Sequence, residues 1–261
     1  MKGVNLIFAA FFVFSPLSYA ADKTDITAQV QAQIETQTRA MSAVGVSSDA
    51  ARHMLTEMHQ NQFKAENISR AQQEVMNCAK LGLPTEPVMS KAMEGMAKQA
   101  QENQIIMAME TVHSRYAYST KMAKSLSKDN KRTTEMAKAI ADSLAAGMKN
   151  KDLETIATQL QVQSRQKSVN QAENTKLAIQ TFLTVRTMAR MGAQSSKVSE
   201  TLTQALENQF THLDMSKLRQ QTASHPAGSI GIGGNAGGSG AGGSGSGPGS
   251  GGSGSGPGGG K

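Results

Sequence analysis

Methionine is the residue type in this sequence best suited to bind a soft metal ion. The chain has 16 methionines, and thioether sulfur is a ligand that Cu(I) prefers. Two groups have helical spacing: Met54 with Met58, and Met89 with Met93 and Met96. The same spacing is required of a stripe that faces a core, and methionine fills irregular core space well. We therefore predict core packing and no bound metal or cofactor, with a Cu or Ag buffer as the alternative.

Two histidines flank the first methionine pair and invite comparison with a zinc-protease helix. Such helices place two histidines at i, i+4, so that both point one way. Here His53 and His59 are spaced i, i+6, a rotation of about 600° that sends the rings to different faces. Cys78 is the single cysteine and shares a 3-4-3 apolar spacing with Ile68, Ala71 and Val75, which predicts a buried thiol.

Catalytic motifs are missing from the sequence. We find no G-x-S-x-G, P-loop, C-x-x-C or acidic calcium loop. Residues 231–236 formally match G-x-G-x-x-A, but they lie in a Gly/Ser-rich segment without the strand and helix that a dinucleotide site needs. The sequence therefore predicts a protein that is not an enzyme.

The densest basic segment is a candidate site for an anionic surface. Lys121, Lys124 and Lys128 are predicted to share one helical face, and Lys131 with Arg132 follows them. A helix face of this kind suits lipid phosphate or acidic polysaccharide. An ordinary solvated face is the other interpretation. The formal net charge of +7 fits weak attraction to anionic surfaces, but predicted export argues against nucleic acid as a partner.

The N-terminus has the three parts of a secretory signal peptide. Lys2 precedes the apolar run 4–14, and Ser18 and Ala20 are the small residues of a cleavage site. The apolar run is too short to span a bilayer about 30 Å thick. We predict cleavage after Ala20, a periplasmic or secreted location, and no transmembrane span in the mature chain.

Two composition changes divide the chain into a leader (1–20), a helical domain (21–224) and a Gly/Ser-rich tail (225–261). The tail cannot bury enough apolar surface to offset its ordering entropy, which predicts disorder. The body is rich in helix formers and has no sustained period-two alternation. The predicted helices are 24–43, 48–64, 66–81, 85–127, 131–146, 150–167, 170–190, 195–210 and 213–222.

An irregular internal repeat organises the helical domain. Four glycines that follow small or apolar residues predict left-handed turns that end a helix: Gly45, Gly82, Gly147 and Gly192. Three residues later stand predicted N-caps of the next helix: Ser48, Thr85, Asn150 and Ser195. Residues six and ten past each glycine are apolar and share one face of that helix: Ala51, Val88, Leu153 and Val198, then Leu55, Ala92, Ala157 and Leu202.

The predicted fold is all-α, with irregular repeats of antiparallel helix pairs forming a bundle or a short α-solenoid, and a disordered C-terminal tail. The predicted function is that of an exported, non-enzymatic interaction or scaffold protein of the cell envelope, with protein partners there. A holdase-like chaperone or a soft-metal buffer that uses the methionine-rich helices is the alternative.

Overall fold

The computed structural model describes the backbone of residues 18–166 and 170–224, and the side chains of residues 28–165 and 170–224. Most of the predicted leader, the tail and the match at 231–236 lie outside these ranges. The described ranges form ten α-helices: α1 (Ser18–Ser42), α2 (Ser48–Gln60), α3 (Ala65–Lys80), α4 (Glu86–Ala97), α5 (Glu102–Leu126), α6 (Asn130–Ala145), α7 (Asn150–Gln166), α8 (Gln171–Arg190), α9 (Ser195–Glu207) and α10 (His212–Ser224).

Helices two apart along the chain pack side by side, except α4 and α6. In the odd-numbered row, α3 packs between α1 and α5, and α7 packs between α5 and α9. In the even-numbered row, α2 contacts α4, and α8 packs between α6 and α10. Sequential pairs such as α1–α2, α4–α5 and α5–α6 join the two rows. The predicted all-α class of paired helices is confirmed.

The four glycines of the repeat end α1, α3, α6 and α8 with left-handed residues. Their φ values are 93°, 67°, 100° and 84°, in chain order. At each turn the residue after the glycine donates its N–H to the carbonyl five positions earlier, as Leu83 does to Cys78 at 2.8 Å. This is the Schellman arrangement, which satisfies carbonyls that a helix end leaves unpaired.

Three further turns have the same geometry with glutamine in place of glycine. Gln62, Gln99 and Gln209 have φ values of 58°, 54° and 60°, and each lies 17 residues after a turn glycine. Phe63 donates its N–H to the Met58 carbonyl at 3.0 Å, the same bond as in the glycine turns. The prediction of one helix over 85–127 is therefore wrong, because the Gln99 turn separates α4 from α5.

Of the four predicted N-caps, Thr85 holds that position, whereas Ser48, Asn150 and Ser195 are each the first residue of their helix. The N-cap of α2 is Ser47, whose side chain accepts from Ala50 N, one residue earlier than predicted. Thr85 is the N-cap of α4 without a side-chain capping bond. Ser195 is the first residue of α9, and its hydroxyl accepts from Lys149 N instead. A side-chain oxygen near a helix start is thus used between helices as readily as within one.

The apolar residues of the repeat are enclosed in the core. The eight residues six and ten past the glycines are all buried, and so are Cys78 and the three apolar residues of its stripe. Met54 and Met58 have no exposed surface, and Met89 and Met96 are buried. Because the body has few aromatic side chains, methionine supplies much of the core volume. No helix among the described residues combines the length and apolarity that crossing a bilayer requires.

Candidate interaction groove

A concave groove of about 600 Å³ lies where the α3–α4 turn meets α5 and α6. Its volume is in the range of clefts that bind ligands. Three elements form it: the turn with the start of α4, the second half of α5 and the first half of α6. The groove is lined by Gly82, Leu83, Pro84, Glu86, Pro87, Tyr116, Thr120, Lys124, Asn130, Thr133, Thr134, Ala137 and Lys138.

The two neighbouring helices α5 and α6 each contribute a row of side chains to the groove, and the residues in both rows have the same spacing. Tyr116, Thr120 and Lys124 lie at i, i+4, i+8 on α5. Asn130, Thr134 and Lys138 lie at the same spacing on α6. Residues four apart stack on one face of a helix, so each row runs along the groove. The short connection between the two helices makes them antiparallel.

The connection between α5 and α6 is fixed by its own hydrogen bonds. Asp129 caps α6 by accepting from Arg132 N at 3.1 Å. The hydroxyl of buried Thr133 donates to the Ser127 carbonyl at 3.2 Å, and Asp129 N donates to Ser127 Oγ at 3.2 Å. These bonds hold the start of α6 against the end of α5, so the two rows keep their register.

The floor of the groove is apolar and carries one phenol. Leu83, Pro84 and Pro87 come from the α3–α4 turn and the start of α4, and Ala137 comes from α6. Burial raises the pKa of Tyr116, and the nearby Asp142 carboxylate raises it further. Among the described residues, no hydrogen bond engages the Tyr116 hydroxyl, which leaves this polar group available to a ligand.

The rims of the groove carry unpaired positive charge. Lys124 and Lys138 are exposed and line it from the two helices. Lys131 is seven residues before Lys138 and projects within about 20° of it around α6. Neither these three lysines nor Lys121 and Lys128 form an ion pair with any described residue. Most cations of other helices do, as Arg70 does with Glu110 at 2.8 Å.

One acidic group offsets part of this charge, and the lining keeps one positive charge in excess (Lys124 and Lys138 against Glu86). Glu86 is the single carboxylate in the lining. Asp142 lies near Tyr116, but Arg186 and Arg190 already pair with its carboxylate, at 3.5 and 3.1 Å. The groove therefore has an excess of positive charge over an apolar floor.

The predicted basic segment is only partly one surface. Lys121 and Lys124 are on α5, but that helix ends at Leu126, so Lys128 lies in the connection and not on the same helical face. Arg132 is half-buried and structural, since its Nη1 donates to the Ala172 carbonyl at 3.2 Å and its Nε lies 3.6 Å from Asp129.

The histidines and the cysteine that the sequence offers for metal binding or catalysis do not come together in a site. His53 is exposed on α2, while His59 is half-buried on the same helix. In the described part of the chain, no three His, Cys, Asp or Glu side chains are placed to hold a metal ion. Cys78 is fully enclosed, and burial raises the pKa of its thiol to about 11.

Sequence reasoning missed Tyr116 and Lys138, although the signal was present. Tyr116 begins one i, i+4, i+8 row and Lys138 ends the other. The members of both rows are polar or aromatic, unlike the mainly aliphatic stripes of the helical body. What the pattern alone does not reveal is that the α3–α4 turn lies beside these two rows.

The described residues together define an all-α protein of paired helices, with a concave groove that has basic rims and a partly apolar lining. No protein-family model matches the chain, and no curated protein and no solved structure is significantly similar to it.

Proposed function

We propose that this chain is an exported, non-enzymatic interaction protein of the cell envelope, which holds a partner protein in the groove between α5 and α6. The observation that carries the proposal is the combination of a concave apolar floor with unpaired lysines on both rims. Interfaces with partners typically join an apolar centre to a polar, charged rim.

Export is part of the proposal and is supported by the leader. The positive residue, the short apolar run and the small residues before Ala21 are the features that a secretory peptidase recognises. After cleavage, the helical body would work in the periplasm or outside the cell. The Gly/Ser-rich tail would then serve as a flexible tether or spacer, since such sequences behave as flexible coils.

Binding is favoured over catalysis by the hydrogen bonding of the groove. The hydroxyls of Thr133 and Thr134 donate to the backbone carbonyls of Ser127 and Asn130. Among the described residues, no groove hydroxyl is paired with a carboxylate or a histidine, the arrangement that activates a nucleophile.

The alternatives have less support. A soft-metal buffer needs a group of accessible thioethers, but in the two methionine groups Met54 and Met58 have no exposed surface and Met89 and Met96 are buried. A holdase needs a continuous apolar surface. The large exposed apolar side chains lie apart in the sequence, on the α3–α4 turn, α5, α7 and α10: Leu81, Met107, Val162 and Leu213.

Site-specific photo-crosslinking in cells tests the proposal. A photoreactive phenylalanine analogue replaces Thr134, which is exposed and lines the groove. The control replaces Gln204, which is exposed on α9, a helix that contributes nothing to the groove. We expect a discrete protein adduct from the Thr134 position and none from the Gln204 position. The absence of any adduct at Thr134, or equal adducts at both positions, would contradict the proposal.

A further inference from the structure

We infer that the groove takes an extended segment of its partner in which two acidic residues flank one large apolar residue, with the spacing Glu-x-Phe-x-Glu. This inference rests on the proposed function and specifies its ligand. It follows from three properties of the groove: the separation of its two rim lysines along the helix axes, the apolar lining between them, and the absence of ion pairs from those lysines to any described residue.

The two rim lysines stand at opposite ends of the groove. Lys124 lies two residues before the end of α5, and Asn130 begins α6, so these two residues are at the same level. Lys138 lies eight residues after Asn130, which is about 12 Å along the helix axis. Because the helices are antiparallel, Lys138 is instead at the level of the Tyr116 end of α5.

The two lysines are thus about 12 Å apart along the helix axes, and packed helices lie a further distance of about 8–10 Å apart across the groove. The long, flexible lysine side chains cover the difference between this separation and the length of a short extended peptide. An extended peptide advances about 3.3 Å per residue, so side chains at i and i+4 are about 13 Å apart. Those two side chains point to the same face of the strand, and so does the side chain at i+2 between them. Two carboxylates at i and i+4 therefore reach Lys124 and Lys138 while the residue at i+2 points down onto the floor.

The centre of the floor suits an aromatic or large aliphatic side chain. Pro84 and Pro87 supply rigid apolar surface from the α3–α4 turn and the start of α4, and Tyr116, which is 6% exposed, contributes a small part of its ring from α5. Aromatic pairs with offset or edge-to-face geometry add stability beyond the area that they bury. The Tyr116 hydroxyl, which has no partner among the described residues, is available to a backbone carbonyl of the peptide.

Charge complementarity identifies the flanking residues. Lys124, Lys131 and Lys138 have no ion-pair partner in the described part of the chain, and the nearby Asp142 is taken by two arginines. An acidic segment would supply the missing anions. A flat bilayer would reach the rim lysines but not the apolar floor, and an acidic polysaccharide has no large apolar group to place there.

The test uses the full mature chain and synthetic peptides. The probe is the acetylated and amidated pentapeptide Glu-Ser-Phe-Ser-Glu, with binding measured by calorimetry. Three peptides serve as controls: one with both Glu changed to Gln, one with Phe changed to Ser, and one with a single Ser removed so that the acids are three residues apart. We expect saturable binding of the probe with a Kd below about 1 mM, and weaker binding of every control peptide.

Matched protein variants separate the groove from general charge. The groove variant carries Lys124→Glu and Lys138→Glu, and the control variant carries Lys151→Glu and Lys217→Glu, which are exposed on α7 and α10. Both variants change the net charge equally. We expect the groove variant to lose about tenfold or more in affinity, since two ion pairs become two repulsions, and the control variant to bind normally. Circular dichroism checks that both variants fold.

Three results would overturn the inference: no binding of the probe, equal losses in the two protein variants, or binding that does not depend on the phenylalanine. Sedimentation with vesicles that contain phosphatidylglycerol is run in parallel. Lysine-dependent vesicle binding without peptide binding would assign the rim to a lipid surface. If the peptide fails while the Thr134 crosslink forms, the ligand class is wrong and the proposed function stands; if neither occurs, both are wrong.

Discussion

The carboxylate of Glu102 accepts a hydrogen bond from the backbone N–H of Lys64, with 2.9 Å between the two atoms. Glu102 is the first residue of α5, and Lys64 is the N-cap of α3, the neighbouring helix of the same row. The same Glu102 oxygen also accepts from Asn67 Nδ2 at 2.7 Å. The start of one helix is thus capped by the start of the helix two places further along the chain.

The equivalent contact recurs between α7 and α9. Ser195, the first residue of α9, accepts from Lys149 N at 2.9 Å just before the start of α7, and its hydroxyl also donates to Asp152. In both places an N–H group that a helix start leaves unpaired is satisfied by the next helix of the row. These contacts set the register between successive helix pairs, which in turn places the α3–α4 turn beside α5.

Replacing Glu102 with alanine is expected to destabilise the protein, because Lys64 N and the buried Asn67 amide both lose their acceptor. The matched variant at the second contact, Ser195→Ala, should cost about 0.5–2 kcal/mol of unfolding free energy. Urea denaturation followed by circular dichroism measures both. If both variants were as stable as the wild type, the hydrogen bonds of Glu102 and Ser195 would not contribute to the packing between neighbouring helices of the row.

Acid should remove the contribution of Glu102. The hydrogen bond from Asn67, and next that from Lys64 N, lower the pKa of Glu102 below its ordinary value of 4.5. A carboxyl with a lowered folded pKa contributes stability that is complete above the unfolded value and is lost as pH falls through the folded one. We expect the difference in thermal midpoint between wild type and Glu102→Gln to be constant near neutral pH and to shrink below pH 4.5. A difference that does not change with acidification would contradict this assignment.

Substitutions at two turn residues should change the stability of the protein in opposite directions. Gln62 has a φ of 58°, a conformation that costs an L-residue about 1–2 kcal/mol, so Gln62→Gly should stabilise the protein by about 0.5–1 kcal/mol after the entropy of glycine is deducted. Gly82 has a φ of 67° and open space where the methyl group of an alanine would lie, so Gly82→Ala should cost about 1 kcal/mol from backbone strain alone. Urea midpoints measure both. Equal signs for the two changes would mean that the left-handed turns do not persist in solution.

The turns at Gly82 and at the glutamines also show how far the sequence predicts the fold. Gly82 is visible in a sequence, because glycine is the residue that a left-handed helix end favours. The glutamine turns are harder to predict, because glutamine is an ordinary helix former. The sequence predicts helix breaks near Gln62 and Gln209, but none near Gln99. The helices bounded by glycine were therefore predicted within a few residues, whereas the boundary between α4 and α5 was missed.

The groove was harder to predict for a related reason. The rows on α5 and α6 follow from helical spacing, and Lys124 was selected for its charge. Helical spacing places Tyr116 on the same face of α5 as Lys124, but this face lines a groove only because the α3–α4 turn, about 30 residues earlier in the chain, lies beside it. Spacing along one helix carries no information about such a neighbour. The hydrogen bond from Arg132 to the Ala172 carbonyl on α8 is likewise a contact that spacing along α6 does not reveal.

Cys78 should be inert in the native protein. Its side chain has no exposed surface, and burial raises the pKa of its thiol to about 11, so little thiolate exists at neutral pH. We expect a thiol reagent to label Cys78 only as fast as the protein opens, with a rate that rises as urea is added. Labelling at the rate of an unfolded control, without denaturant, would contradict the packing of α3.

Cell fractionation with N-terminal sequencing tests the export proposal. We expect the chain to be recovered from the periplasm or the culture medium with Ala21 as its first residue, because the small residues before it fit a signal peptidase. Substituting Ala20 with a bulky residue such as phenylalanine should leave the leader attached. Recovery of an uncleaved wild-type chain from the cytoplasm would contradict export.

The decisive measurement is the yield of the Thr134 photo-adduct in cells that carry the groove variant, compared with cells that carry the control variant. If the groove holds a partner through Lys124 and Lys138, Lys124→Glu with Lys138→Glu should reduce the adduct at least several-fold. Lys151→Glu with Lys217→Glu should leave it at the wild-type level. Equal yields in the two variants, at equal protein abundance, would contradict the assignment of this groove as the interaction site.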